Sequence, residues 1–446
     1  MVNQEQRENA FLWTLDALKN GEIAVPIIAR EFSPEDWAFM FEGLPKALRF
    51  ELWQTLTQDK KPSILAAMRD DSREQLISLL STEELEEVVT ESSAEQLVEI
   101  LDVLPNKVAR GLIKKLNSEE SGLVTAALNY DDTQLGRYIS HEVYTVNKRT
   151  NVSELLIELK AQVLPAYTDS ILVVDEANHY LGQIDLSDLF SSTTDMNVMQ
   201  LAEFSDRVLS ADLDLYDAAD AVKSSGCSML PVLGKDGRLI GRFTLKDAID
   251  VFQEYYEAQM SHMGKVNDED LFAPVFTSSR RRAVWLGINL ITAFAASIVI
   301  GAFDAVVAQV VALAVLMPIV ASMGGITGSQ TLTLTIRGLA TGQLASSNLR
   351  ALGNKEVLVA FFNGLLWATV VCIITSLWFE NPWLSAIIAV SIVINMIVAA
   401  FAGIAIPVFL DKIGIDPALA GSVILTTVTD VVGFFIFLGS ASLLLI

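Results

Sequence analysis

One carboxylate is singled out by its surroundings. Asp430 lies in Thr426-Thr427-Val428-Thr429-Asp430-Val431-Val432-Gly433, inside the otherwise apolar stretch 419–445. A carboxylate placed in hydrocarbon costs several kcal/mol, so its default reading is functional, turned toward a pore or a partner. An acid among hydroxyls with no basic residue beside it suits a hard cation and its waters. Mg²⁺ in particular sheds water reluctantly and meets only one or two carboxylates. The competing reading is a structural carboxylate bonded to the neighbouring hydroxyls. Asn289, Asn363 and Asn395 are polar groups that could line a path or bond between helices.

A second acidic set has helical spacing. Asp247, Asp250, Glu254 and Glu257 fall at i, i+3, i+7 and i+10 of a stretch that reads as helix to about Met263, on one face. Clustered carboxylates repel until divalent ions bridge them, so the stripe reads as a Mg²⁺ sensor. The plain alternative is a solvated helix face. The helix leads almost directly into the first apolar stretch, so its movement can reach a pore. Softer metals find little here: His141, His179 and His262 are the histidines, Cys227 and Cys372 are far apart, and there is no CxxC. No Ser/His/Asp set, Walker loop or paired catalytic carboxylates is visible, so no enzymatic activity is expected.

The elements that must position these groups follow from composition. Hydrophobic residues make up 52% of the 446, above the usual ~45–50% of soluble chains, and the excess is uneven. Residues 277–446 hold seven Lys/Arg and six Asp/Glu, which leaves 24 and 48 of the totals of 31 and 54 for residues 1–276. The front is therefore −24 and the back +1. An acidic half repels nucleic acid and attracts cations. The N-terminus, MVNQEQRENAFLW, lacks a signal-peptide pattern, so the front half is expected in the cytoplasm.

Five apolar stretches, at about 283–303, 305–339, 357–379, 383–410 and 419–445, each reach the ~20 residues needed to span hydrocarbon as a helix. The second is long and contains Pro318 and Gly324-Gly325-Ile326-Thr327-Gly328. It reads as a broken helix with irregular backbone at Gly324–Gly328. Arg280–Arg282, Arg337, Arg350, Lys355 and Lys412 all fall on one side of the spans, which puts the N-terminus inside and the C-terminus outside the plasma (inner) membrane.

Residues 5–135 read as short stacked helices. Residues 140–250 hold a duplication at an offset of 59: Tyr180-Leu-Gly-Gln-Ile-Asp-Leu-Ser-Asp188 aligns with Leu239-Ile-Gly-Arg-Phe-Thr-Leu-Lys-Asp247, and Ile171–Val174 with Leu230–Leu233. Two such copies would pair their small sheets around a cleft. The pair resembles a tandem of cystathionine-β-synthase (CBS) domains, which are regulatory modules. Gly241, Thr244 and Asp247 fit that family's ribose-binding pattern, which implies an adenine nucleotide such as ATP; Asp185 departs from it in the first copy. Equally, Asp247 reads as a cap on the following helix.

The whole order resembles the MgtE magnesium transporter family. The most specific matches are Pro318…Gly324-Gly325-Ile326-Thr327-Gly328-Ser329-Gln330 and Gly414-Ile-Asp416-Pro417 with Thr427-Val-Thr-Asp430-Val-Val-Gly433. The resemblance implies Asp430 holding hydrated Mg²⁺ in the pore of a homodimer in the lipid bilayer, and cytoplasmic acids that close the pore when internal Mg²⁺ is high. It also implies a multi-domain fold. This comprises an all-α superhelical N domain (1–135), an α/β tandem of CBS domains (136–198 and 199–250), a connecting or plug helix (251–276), and an all-α domain of five transmembrane helices (277–446). Two positions depart from the family pattern, which usually has Asn at both Ile326 and Ser422. The plug helix is also thinner in acids, with Ala258, Gln259 and Ser261. The alternatives are a transporter of another divalent metal such as cobalt or zinc, disfavoured by the lack of soft ligands beside Asp430, and a membrane-anchored CBS sensor without transport.

Overall fold

The computed structural model describes residues 3–21, 26–193, 195–204, 207–264, 274–345 and 347–445. The chain divides into two compact units. Among the described residues, one covers 3–257 and the other 258–264 with 274–445.

In the first unit, short helices run from α1 (Gln4–Lys19) through α2 (Pro34–Gly43) and α3 (Lys46–Thr55) to α4 (Lys61–Ala67), α5 (Asp70–Ile77), α6 (Thr82–Glu91), α7 (Ala94–Asp102), α8 (Asn106–Ile113) and α9 (Ser118–Ala127). Their starts are written locally. Ser33, Ser81 and Ser93 each accept the backbone N–H three residues on, and Asp36, Glu84 and Gln96 answer with the reciprocal bond. These capping boxes satisfy amides that a short helix otherwise leaves orphaned. The interior is apolar around Phe41 and Trp53, whose rings meet edge to face at 6.0 Å. Arginine cross-ties it: buried Arg73 donates to the carbonyls of Leu65 (3.0 Å), Ala66 (2.9 Å), Met68 (2.6 Å) and Glu99 (2.6 Å). One planar guanidinium so ties the C-terminal turns of α4 and α7 together.

The duplication is confirmed down to its irregularities. β1 (Thr145–Asn147), β2 (Ser170–Val174) and β3 (Tyr180–Asp185) form one sheet; β4 (Leu209–Ser210), β5 (Met229–Leu233) and β6 (Leu239–Thr244) form another. In each the first pair is parallel and the second antiparallel. Each has a bulge at the equivalent place, Val173/Val174 and Val232/Leu233. Between the strands lie α10 (Val152–Ala161), α11 (Leu186–Ser191), α12 (Val198–Leu201) and α13 (Leu215–Ser225). The copies interlock. Ser140 pairs with Arg242 and Glu203 with Gln183, so the segment leading into each copy adds to the other's sheet. The sheets also meet directly, through Asn178 Nδ2 to Leu239 O at 2.8 Å. The helix after β6, α14, runs Leu245–Met263; residues 265–273 of the expected connecting segment lie outside the described residues.

The second unit holds α15 (Val275–Ala302), the short α16 (Asp304–Gln309), α17 (Ala312–Ala340), α18 (Leu349–Phe379), α19 (Pro382–Lys412) and α20 (Pro417–Leu444). Five of them are long and apolar enough to cross a membrane. At 28–31 residues each they reach ~42–46 Å, longer than the ~30 Å hydrocarbon core. α19 is the central helix, flanked by α17, α18 and α20, while α15 packs along α20.

The expected break at Gly324–Gly328 is not there: α17 is helical throughout, and the long apolar stretch divides earlier, between α16 and α17. Gly324 and Gly328 serve close packing instead. A Cβ at Gly324 would run into Asn395 Nδ2, and one at Gly328 would meet the Leu425 side chain at 2.8 Å. At Gly403 of α19 a Cβ would stand 2.8 Å from the Gly328 carbonyl oxygen and 3.1 Å from the Leu332 nitrogen. Those are backbone atoms and cannot swing aside.

Gly403→Ala is therefore expected to destabilise the membrane unit by the ~1–3 kcal/mol typical of overpacking, seen as a lower melting temperature in detergent. Gly301→Ala, where nothing lies within 4 Å, should leave that temperature unchanged or slightly raised. Equal melting temperatures for the two variants would refute the close-approach reading.

Candidate functional site

Asp430 sits near the middle of α20, half-buried. The hydroxyls around it are spent on their own helix: Thr426 Oγ1 donates to Ser422 O (2.9 Å), Thr427 Oγ1 to Val423 O (2.9 Å) and Thr429 Oγ1 to Thr426 O (3.0 Å). Among the described residues Asp430 accepts no hydrogen bond and forms no ion pair. The alternative of a carboxylate tied up by its neighbours thus finds no support in the geometry.

Ser422, Thr426 and Asp430 follow at i, i+4 and i+8, a single stripe down α20. The Ser422 Oγ is buried and has no partner of its own. A buried hydroxyl without a bond forfeits ~1–3 kcal/mol, so it marks a place where water or another polar group belongs. Sequence reading noted Ser422 only as a departure; its spacing from Asp430 was the signal available.

Behind the stripe, Asn395 of α19 wedges between α17 and α20. Its Nδ2 donates to Val320 O at 3.0 Å, and Cβ atoms at Gly324 or Gly433 would collide with it. Asn395 thus bonds between helices, while Asn289 and Asn363 face outward from the unit. Glu356, which the sequence places just ahead of the third span, lies inside α18, buried, with Lys355 Nζ at 3.1 Å. It borders a groove between α17 and α18 that also takes in Ser329, Gln330 and Thr333.

The stripe on α14 is not a bare row of acids. Asp247 Oδ2 accepts from the backbone N–H of Thr244 (2.9 Å) and from its Oγ1 (2.7 Å), so Asp247 caps its own helix. That bond also turns Thr244 inward, and Gly241 is needed where the Ser140 carbonyl would lie 2.6 Å from a Cβ. Gly241, Thr244 and Asp247 do share one turn, at the end of β6. Asp250 pairs with Lys246 at 2.9 Å, and Glu257 with Arg69 at 2.8 Å, with Gln253 Nε2 donating to Glu257 at 3.0 Å. Among the described residues no three His, Cys, Asp or Glu gather in a metal-holding group.

Glu254 belongs to a looser crowd of charge. Burial raises the Glu99 carboxyl above its ordinary value of 4.5 against the pull of Arg73, and Asp70, Glu254 and Asp102 push the same way. Sequence reading also missed the pair His262–Asp416. His262 Nδ1 lies 2.5 Å from Asp416 Oδ2, while Asp416 Oδ1 accepts the Ala418 N–H at 2.8 Å as the N-cap of α20. The end of α14 thereby touches the start of the helix that carries Asp430.

Family sequence profiles match three parts of the chain. A divalent cation transporter profile, MgtE, covers residues 317–440. The MgtE intracellular N domain covers 32–133, and a CBS domain covers 205–254, the second copy. The magnesium transporter MgtE of Bacillus subtilis (strain 168) is 24% identical over 447 residues, 99% of either chain. The magnesium transporter MgtE of Thermus thermophilus is 30% identical over 329 residues, 72% of either chain. Among solved structures, the cytosolic domain of the Mg²⁺ channel MgtE in complex with ATP aligns at 23% identity, over 54% of this chain and 99% of that one, with a TM-score of 0.48. With sequence likeness running through both units, the chain belongs to the MgtE family of magnesium transporters.

Proposed function

We propose that this protein carries Mg²⁺ across the membrane, with Asp430 as the carboxylate that receives the hydrated ion. The observation that carries the reading is an acid in mid-span while Thr426, Thr427 and Thr429 beside it donate their hydroxyls to backbone carbonyls of their own helix. Mg²⁺ keeps most of its water, so a lone carboxylate with hydroxyl oxygens above it can hold the ion through that water. The basic residues at alternate helix ends support an N-terminus inside and a C-terminus outside.

A second copy of the chain completes the pore in this reading. One carboxylate per chain supplies half the charge of the ion. On α17 the polar Ser322, Ser329, Gln330 and Thr333 are exposed along one face, together with Ile326. Lipid offers such groups no hydrogen bonds, so a polar face inside the bilayer belongs against protein or water. Twofold symmetry is the commonest way to cover it.

Asp430→Ala is expected to abolish Mg²⁺ uptake into proteoliposomes while the protein remains a folded dimer by mass measurement in detergent. Near-normal flux in that variant would overturn the role of Asp430, and an active monomer would overturn the dimer.

Regulation by divalent ions is proposed for α14. Asp247, Asp250, Glu254 and Glu257 form its acidic side, and Glu254 joins Asp70 and Asp102 in the negative field on Glu99. Arg69 and Lys246 supply some of the positive charge there, and divalent ions would supply the rest. Gly241, Thr244 and Asp247 remain the proposed place for an adenine nucleotide, which would have to displace the Thr244–Asp247 bond.

The sign of the pH effect follows from Glu99. Its folded value is raised, so its contribution to packing is complete at low pH and is lost as pH rises through that value. Lowering the pH from neutral toward the ordinary carboxyl range and adding millimolar Mg²⁺ should therefore act alike, both slowing proteolysis of residues 245–263 in the full-length protein, with Mg²⁺ adding less at the lower pH. Flux should fall ~5–150-fold between low and high internal Mg²⁺, the range for a coupling of ~1–3 kcal/mol. If neutralising the four acids leaves both readouts just as sensitive to Mg²⁺, the stripe is a solvated face.

The route from α14 to the pore is proposed to run through His262–Asp416. His262→Ala should leave flux at low Mg²⁺ unchanged and weaken its inhibition at high internal Mg²⁺ by several fold. Unaltered inhibition would remove His262 from the route.

A further inference from the structure

A groove of about 990 Å³ lies between α18 and α19, and no residue of α20 lines it. Its walls are apolar, with Val357 and Leu358 on α18 facing Phe401, Ile404 and Val408 on α19. The composition changes along its length. At the end where α18 begins, the lining becomes Ser347, Arg350 and Asn354. The two helices run antiparallel, so the first turn of α18 and the last turns of α19 stand at one level. The polar groups are therefore all at one mouth of an otherwise greasy channel.

Arg350 is the unusual member. Its side chain is exposed and has no ion pair or hydrogen bond among the described residues. Its neighbour Lys355 differs, being paired with Glu356 at 3.1 Å. Both walls are membrane-spanning helices, so the groove opens where lipid is the solvent. At the top of ~300–1,000 Å³, the size range of small-molecule pockets, it is far larger than an ion needs.

We propose that this groove binds an anionic phospholipid, one acyl chain along Val357, Leu358, Phe401, Ile404 and Val408 and the phosphate on Arg350. Charge complementarity selects the occupant: an unpaired guanidinium at the head of an apolar slot matches a phosphate followed by a hydrocarbon chain. Ser347 and Asn354 flank the mouth and can bond the remaining headgroup oxygens. Basic pockets between helices on the charged side of a membrane protein recognise lipid headgroups in this way. The proposal uses the membrane location of α18 and α19 and does not depend on the role given to Asp430.

The test is native mass spectrometry of the full-length protein from bilayers holding equal phosphatidylglycerol and phosphatidylcholine. Wild type should retain phosphatidylglycerol in preference. Arg350→Gln should lower that retention about fivefold, as expected for one basic residue at a headgroup, and Arg350→Lys should keep most of it. Ala405→Trp, which fills the groove and spares Arg350, should lower it equally. Lys412→Gln, outside the groove, should leave it unchanged. Melting temperatures separate misfolded variants from lipid-free ones; Arg350→Gln and Ala405→Trp do not share a structural defect, so loss in both with normal melting supports the site. Equal retention of the two lipids by wild type, unchanged retention in Arg350→Gln, or cross-links showing a second protein copy seated on Phe401 would overturn it.

Discussion

In the membrane unit, one side chain sets the geometry on which the rest depends. Helices in hydrocarbon gain nothing from hiding apolar surface, so they associate through close packing and a few interhelical hydrogen bonds. Asn395 supplies both. It is wedged where Gly324 of α17 and Gly433 of α20 leave room, and its Nδ2 holds the Val320 carbonyl at 3.0 Å. Gly433 lies three residues, less than one turn, beyond Asp430. The wedge that spaces α17, α19 and α20 therefore also fixes how far Asp430 stands from the bundle's interior. The same residue has a buried Oδ1 with no partner. A polar group is thus maintained at the centre of an apolar layer, with its second atom left for water or a moving neighbour.

The other unit handles charge in a contrasting way. Arg73 is buried and committed to four carbonyls, so it acts as a fixed tie. Asp250 and Glu257 of α14 pair with exposed Lys246 and Arg69, contacts that are individually worth little in water. Interactions of that kind can be exchanged at small cost. A divalent ion competing for Asp250 or Glu257 displaces only an exposed pair, whereas unseating Arg73 would orphan several backbone oxygens. The contrast separates what must hold the helical array together from what can respond to ions.

The sequence showed the fold wherever a physical rule is strong. Helix length in hydrocarbon gave five spans, the last two within two residues of the observed helices, while the first and third helices begin eight residues earlier than expected and the second seven later; identity at an offset of 59 gave two sheets that agree even in their bulges. It failed where glycine has two meanings. Gly324–Gly328 reads as a break because glycine weakens a helix, yet α17 is continuous, and Asn395 and Leu425 of neighbouring helices occupy the room that Gly324 and Gly328 leave. It also treated the α14 acids as one row, since spacing shows shared faces and says nothing of partners; Asp247 turns back onto Thr244. His262–Asp416 lay out of reach because its residues are 154 apart with no pattern joining them.

The two departures from the family's pattern bear on how the proposed pore meets an ion. Ile326 removes a hydrogen-bonding group from the exposed face of α17, between Ser322 and Ser329. Ser422 puts a short hydroxyl where an amide is usual, on the stripe that ends at Asp430 and with its Oγ uncommitted. The first change thins the polar lining of α17, and the second keeps α20 polar with a shorter group. A hydroxyl offers one donor and two acceptor lone pairs close to its backbone, so it reaches less far than an amide and leaves space for a water. The wall then presents Ser422, Thr426 and Asp430, with one anionic oxygen pair per chain. An ion stripped of its shell needs about six oxygens around it, and this stripe cannot provide them. A hydrated ion needs only acceptors for the hydrogens of its waters, which hydroxyls and a single carboxylate do provide. The chemistry of the stripe itself therefore favours the cation that keeps its water.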